Sequence, residues 1–191
     1  MKNFTITQLK KQLSLKTKEE LVKEIATLCQ IFPQVKEYYQ AQESDIQELV
    51  KKYKDIIEKE FIEGKTRGLP KARFSTARKA VNDFKKLTDD TELIADVMLT
   101  YVESISWFNN AYSPDIGEFY TKPENMFDNV LMLLENHELL EKFEPRVRKI
   151  VENAIDGWGY QDSLDDRYEA AYGKPVRWGG QRSAFAHLTI S

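Results

Sequence analysis

An all-α fold of seven or eight antiparallel amphipathic helices, in an irregular bundle or a short α-α superhelix, follows from three features of this sequence. Apolar residues recur at intervals of three and four almost throughout, the runs open at capping boxes or prolines and stop at glycines, and no strand pattern occurs before residue 173. With 191 residues, 41% of them apolar and 12% aromatic, the chain can bury one core. A single helical domain is expected over 1–172, with 1–42 as an N-terminal helical hairpin region and 173–191 as a loosely ordered or edge-strand tail.

The first helix carries Ile6, Leu9 and Leu13 behind Thr5 and Gln8, whose spacing lets each side chain satisfy a backbone donor of the other. Thr17 and Glu20 repeat that box ahead of Leu21, Ile25, Leu28 and Phe32. Pro33 ends this helix and, being tolerated at a first helical position, opens a short one with Val35, Tyr38 and Tyr39. From near Ser44 a further helix aligns Ile46, Leu49, Val50, Tyr53, Ile57 and Phe61 and closes at Gly64. After a loop over 64–70, Phe74, Ala77, Val81 and Phe84 line the next helix. Between Glu92 and Tyr112 the stripe Ile94, Met98, Tyr101, Ile105, Phe108 and Tyr112 is widened by Val97 and Val102, which predicts the central helix. Thr121, Pro123 and Glu124 read as cap, early proline and capping-box acid of a helix through Leu134. A hinge at Asn136 and His137 follows. Val147, Ile150, Val151 and Ala154 line a helix that stops at Gly157, and Leu164, Tyr168 and Tyr172 line the last one before Gly173. In the tail, Ala184, Ala186, Leu188 and Ile190 alternate at period two.

Composition restricts the chemistry. One cysteine, Cys29, builds neither a disulfide framework nor a Cys-rich zinc site, and His137 and His187 are the only histidines. Apolar runs such as Leu131–Leu134 fall far short of the roughly 20 residues of a spanning helix, and the first 30 residues hold no apolar signal core. A cytoplasmic location, no membrane association and no cofactor are therefore expected. Gly64-Lys65-Thr66 copies the end of a phosphate-binding loop, but Lys59 stands where its first glycine belongs and a helix precedes it, so a glycine helix stop is the better reading. No nucleophile elbow occurs, and the balance is against an enzyme.

Charge is sorted along the chain. Residues 65–86 hold Lys65, Arg67, Lys71, Arg73, Arg78, Lys79, Lys85 and Lys86 against the single acid Asp83, while 87–143 hold twelve acids against two bases. The basic block is a candidate polyanion site, because each phosphate contact releases counterions; the competing reading is a basic face that docks on acids of this chain or of a second copy. Trp107, Phe108, Tyr112, Phe119 and Tyr120 crowd the most acidic block and are a candidate partner or ligand patch. Asp162, Asp165, Asp166 and Glu169 share one helical face and are a candidate divalent-cation site, against the plainer role of acids favoured by a helix dipole.

Two resemblances bear on these readings. Residues Leu9, Leu13 and Leu21 with their lysines are faintly similar to the two-helix SAP module that binds DNA, but Ser14, Leu15 and Lys16 stand where its glycine-bearing turn belongs, which favours an ordinary hairpin. The stretches Leu9-Lys10-Lys11-Gln12-Leu13, Glu19-Glu20-Leu21 and Phe32-Pro33-Gln34-Val35-Lys36-Glu37-Tyr38 resemble the opening of a family of uncharacterised bacterial proteins. Similar segments follow at Ala80-Val81-Asn82-Asp83-Phe84-Lys85-Lys86-Leu87, Leu99-Thr100-Tyr101-Val102-Glu103 and Gly157-Trp158-Gly159-Tyr160-Gln161-Asp162. The resemblance spans residues 5 to 172 and implies a wholly helical domain of unknown function, with no catalytic residue to carry over.

Together these features predict a non-catalytic helical protein-interaction module with segregated basic and acidic surfaces, whose partner is another protein or a second copy. The alternatives are a nucleic-acid or polyanion-binding protein acting through the basic block and a metal-dependent enzyme using the Asp162 cluster.

Overall fold

The computed structural model describes residues 4–43, 45–65 and 67–176. They form nine helices and no strand, so the all-α expectation stands with a corrected count. The alternating stretch from Ala184 to Ile190 lies outside the described residues. The helices are α1 (Ile6–Leu13), α2 (Lys18–Ile31), α3 (Pro33–Glu43), α4 (Ile46–Phe61), α5 (Phe74–Phe84), α6 (Thr91–Tyr112), α7 (Glu118–Asn136), α8 (Leu140–Glu152) and α9 (Tyr160–Tyr172). They fall into two compact units divided at the first residue of α4.

In the N-terminal unit both predicted capping boxes form. Thr5 Oγ1 accepts from the Gln8 amide at 3.3 Å while Gln8 Oε1 accepts from the Thr5 amide at 3.0 Å, and Thr17 and Glu20 do the same at 3.2 and 2.8 Å. Phe32 ends α2 in an extended conformation and Pro33 starts α3, which packs on α2. No described side chain of residues 4–40 is buried.

The second unit is built around α6. Its buried side chains run from Ala95 to Asn109 around all of the helix but the stripe of Asp96, Glu103, Trp107 and Asn110, and α5, α7 and α8 pack on it. Asn109, near its end, reaches Phe119 at the start of α7, whereas Thr91 at its start meets His137 just after α7, so the two are antiparallel. The α8 helix runs parallel to α6, since Glu92 meets Lys142, Glu103 meets Arg146 and Asn110 meets Asn153. Contacts of Glu144 with Tyr168 and of Val151 with Gln161 set α9 antiparallel to α8. The result is an irregular alternating bundle in which α4 adds Tyr53 against Phe84, and Phe61 against Phe74, Tyr101 and Phe108.

Polar groups on so enclosed a helix need partners. Thr100 and Ser104 donate to carbonyls one turn back, and Ser106 Oγ meets the Tyr160 hydroxyl at 2.8 Å. Arg146 from α8 grips Glu103 with Nε and Nη2, both at 2.7 Å, donates to Thr100 Oγ1 at 3.1 Å and pairs with Asp96, which also takes Lys54 of α4 at 2.6 Å. Asp96, shared by Lys54 and Arg146, thus ties α4, α6 and α8 together.

The start of α7 corrects the sequence reading. The helix begins at Glu118 behind Gly117, so Pro123 lies in its second turn and Thr121 is no cap. A proline there removes the amide that would bond the Phe119 carbonyl. Buried Asn109 replaces it, donating Nδ2 to Phe119 O at 2.8 Å, while its Oδ1 is the one buried side-chain acceptor without a partner among the described residues. At the other end the predicted hinge is a Schellman closure, with Leu139 N bonded to Leu134 O at 2.8 Å and Glu138 at φ 59°.

Asn109→Leu is expected to lower unfolding stability by about 2 kcal/mol by stranding the Phe119 carbonyl, and Pro123→Ala in that background to recover part of the loss by restoring an amide donor, as read from urea denaturation. Arg146→Leu, which takes the partner from Glu103 and Asp96 where solvent screens part of the loss, is expected to cost about 1–2 kcal/mol by the same measurement.

Candidate functional site

The basic block does not present eight free cations. Lys65 pairs with Glu58, Lys79 and Lys86 share Asp83, and Arg73 reaches back to Glu60 near the end of α4. Gly64 takes up φ 81° in the turn after α4, as its helix-stop role requires, and the Lys65–Glu58 pair accounts for the lysine of the apparent phosphate motif. Arg67, Lys71, Arg78 and Lys85 form no ion pair among the described residues. Arg78 and Lys85 are seven residues apart on α5 and its cap, and burial together with neighbouring Arg78 holds the Lys85 ammonium below its ordinary value.

Arg73 has a structural task that the sequence did not reveal. Glu60 is buried, and its carboxylate accepts from Arg73 Nε at 2.9 Å, Nη2 at 2.6 Å and the Arg73 amide at 3.2 Å. Ala72, at φ 52°, donates its amide to the Glu60 carbonyl at 2.7 Å, so the loop into α5 is clamped onto the end of α4. The arginine's hydrogen bond to the carboxylate, which outweighs the opposing effect of burial, draws the Glu60 pKa below its ordinary 4.5.

The acids of 87–143 are also engaged, by bases far away in sequence. Beside Asp96 and Glu103, Glu92 takes Lys142, Glu118 takes Lys122, and Asp128 takes Arg167 of α9 at 2.7 Å. Asp90 caps α6, its Oδ1 accepting the amides of Glu92 and Leu93 at 3.0 and 3.2 Å. Asp89, Glu135, Glu138 and Glu141 form no ion pair among the described residues.

The aromatic candidates separate. Phe119 and Tyr120 are buried, and Phe108 is half-buried, stacked on Phe119 at 4.9 Å and tilted against Tyr112 at 4.6 Å. Lys122 lies 4.5 Å over the Phe74 ring beside them. Trp107 and Tyr112 alone of the five remain exposed. Trp158, 71% exposed, stacks on Tyr120 at 6.1 Å, and Tyr160 is enclosed.

The acidic candidates of α9 do not gather into a metal site. Among the described residues no group of three or more His, Cys, Asp or Glu side chains is placed to hold an ion. Asp165 accepts the Val176 amide at 2.7 Å, which fastens the chain after α9. Nearby, Glu144 accepts from Tyr168 and from Arg148 at 3.0 Å, so its pKa falls, while burial and then the bond to Glu144 push the Tyr168 hydroxyl up to about 12.

Helical spacing alone does not reveal how open the N-terminal unit is to solvent. Ile6 and Phe32 keep the helical spacing of the predicted stripes, yet Ile6 is 68% exposed and Phe32 49%, as is neighbouring Val22 at 59%. The signal was present in the shortness of α1 and the spread of apolar residues around α2.

The Glu60 shift fixes the sign of a pH effect. Its folded pKa lies below the unfolded one, so the stabilisation is complete above the ordinary value of 4.5 and is lost as pH falls through the folded pKa. Unfolding midpoints of the native chain are expected to drop steeply between about pH 5 and 3, and those of Glu60→Gln to start lower and drop less.

Against known proteins, the model of a family of unknown function, DUF6155, matches residues 5–170. No curated protein and no solved structure matches the chain. Among the described residues no helix is long and apolar enough to cross a membrane.

Proposed function

We propose, for a chain that belongs to the family of unknown function DUF6155, a binding role: a non-catalytic protein-interaction module that docks through the apolar faces of its N-terminal unit. One observation carries this reading. Within α1 to α3 the same helical periodicity that fills the core of the second unit leaves Ile6, Val22, Ile25, Leu28, Ile31 and Phe32 between 37% and 68% exposed. Apolar surface of that extent on short helices marks a face that gains by association, since each buried methylene returns about 0.8 kcal/mol. The free cations of 65–86 and the free carboxylates of 87–143 support a steering role, in which opposite fields select and orient the partner. A cytoplasmic site of action belongs to the same reading and is supported by the free thiol of Cys29.

A second reading, polyanion binding, is favoured by Arg78 and Lys85, two like charges seven residues apart on α5 and its cap that oppose each other and form no ion pair among the described residues. A phosphate placed there would relieve the repulsion.

Both readings are tested on the full chain. A photo-crosslinking residue at Val22 is expected to trap one discrete protein partner or a second copy in cells, while the same residue at Met132, equally exposed on the second unit, traps none; equal or absent adducts reject the interaction reading. Heparin retention that survives Arg78→Glu with Lys85→Glu rejects the polyanion reading. Arg73 is unsuitable for that test because it holds Glu60.

A further inference from the structure

A groove of about 480 Å³ opens between the C-terminal halves of α6 and α8, inside the size range of small-ligand sites. Ile150, 4% exposed, contributes an apolar surface to it. One wall is the α6 face that carries Glu103, Trp107 and Asn110, spaced four and three apart; the other is Lys149 and Asn153 at the end of α8. Trp107 is 37% exposed, and its indole is braced edge-on by Tyr112 at 6.4 Å and 72°.

The charges in the lining do not cancel. Glu103 commits both carboxylate oxygens to Arg146, and Asn110 Nδ2 is taken by the Asn153 carbonyl at 2.6 Å. Lys149 forms no ion pair among the described residues, so its ammonium is the charge left for an incoming group. A flat aromatic surface, an apolar contact and one unmatched cation within a groove of this volume define a complementary ligand.

We propose that this groove binds a small planar anion, its ring against Trp107 and Ile150 and its anionic group on Lys149. Two sources share that chemistry, an aromatic carboxylate and a nucleoside monophosphate. The site uses no side chain of the N-terminal unit, so it stands or falls independently of the protein-interaction reading.

Calorimetric titration of the full chain decides it, with indole-3-acetate and adenosine monophosphate as probes and adenosine as the uncharged control. One-site saturation by one of the two anions is expected at a Kd of about 10–100 μM, which tells carboxylate from phosphate. Lys149→Gln, a surface change that leaves the unfolding midpoint in place, is expected to weaken it about tenfold or more, and Trp107→Leu to weaken it as well. Absence of saturable binding by both anions overturns the proposal. So does an affinity unchanged in Lys149→Gln, or adenosine binding as tightly as its monophosphate.

Discussion

Enclosure of α6 is the constraint from which the second unit takes its form. A helix buried around most of its circumference must bury polar groups too, and each such group needs a partner in place of water. The arrangement of α7, α8 and α9 supplies those partners. Arg146 enters beside Asp96, Thr100 and Glu103, Tyr160 beside Ser106, and the Phe119 carbonyl beside Asn109. The ion pairs confer position more than net energy, since desolvation offsets much of their attraction. They hold α8 alongside α6, whose C-terminal halves flank the groove beside Trp107.

The same economy of partners changes the meaning of the charge pattern. Along the chain the bases of 65–86 and the acids of 87–143 look like two opposed surfaces. In space, Glu60 and Glu58 from α4 take two of the bases and Asp83 takes two more, while Lys54, Lys142, Arg146 and Arg167 neutralise the acids. What forms no ion pair among the described residues is a smaller set on each side than the sequence pattern suggests.

The two units contrast in what their amphipathic stripes meet. From α4 onward the stripes converge on one core with Ile57, Phe61, Phe127, Leu134 and Tyr168 fully enclosed. In α1 to α3 the stripes stay open to solvent, and helices as short as the eight residues of α1 owe little to propensity alone. The capping boxes of α1 and α2 compensate by satisfying end amides locally. A unit held by caps and exposed on its apolar side is suited to gain order and stability from contact.

By itself the sequence determined what depends on neighbours within a turn or two: the helical class, both capping boxes, the Pro33 boundary, the extent of α6 and the close of α9 at Gly173, because helix signals are local in chain and space. It could not determine partners many residues apart. Pro123 looked like a first-turn proline because nothing nearby shows that Asn109 would accept responsibility for the Phe119 carbonyl. Arg73 looked like a surface cation because its claim on Glu60 depends on a loop closing over α4, and the Asp162 cluster looked like a cation site because helical spacing aligns carboxylates without making them converge. Only the tertiary structure decided which charges stay free, which aromatic rings reach solvent and where a groove remains, since each of those depends on what packs across the bundle and not on what precedes it in the chain.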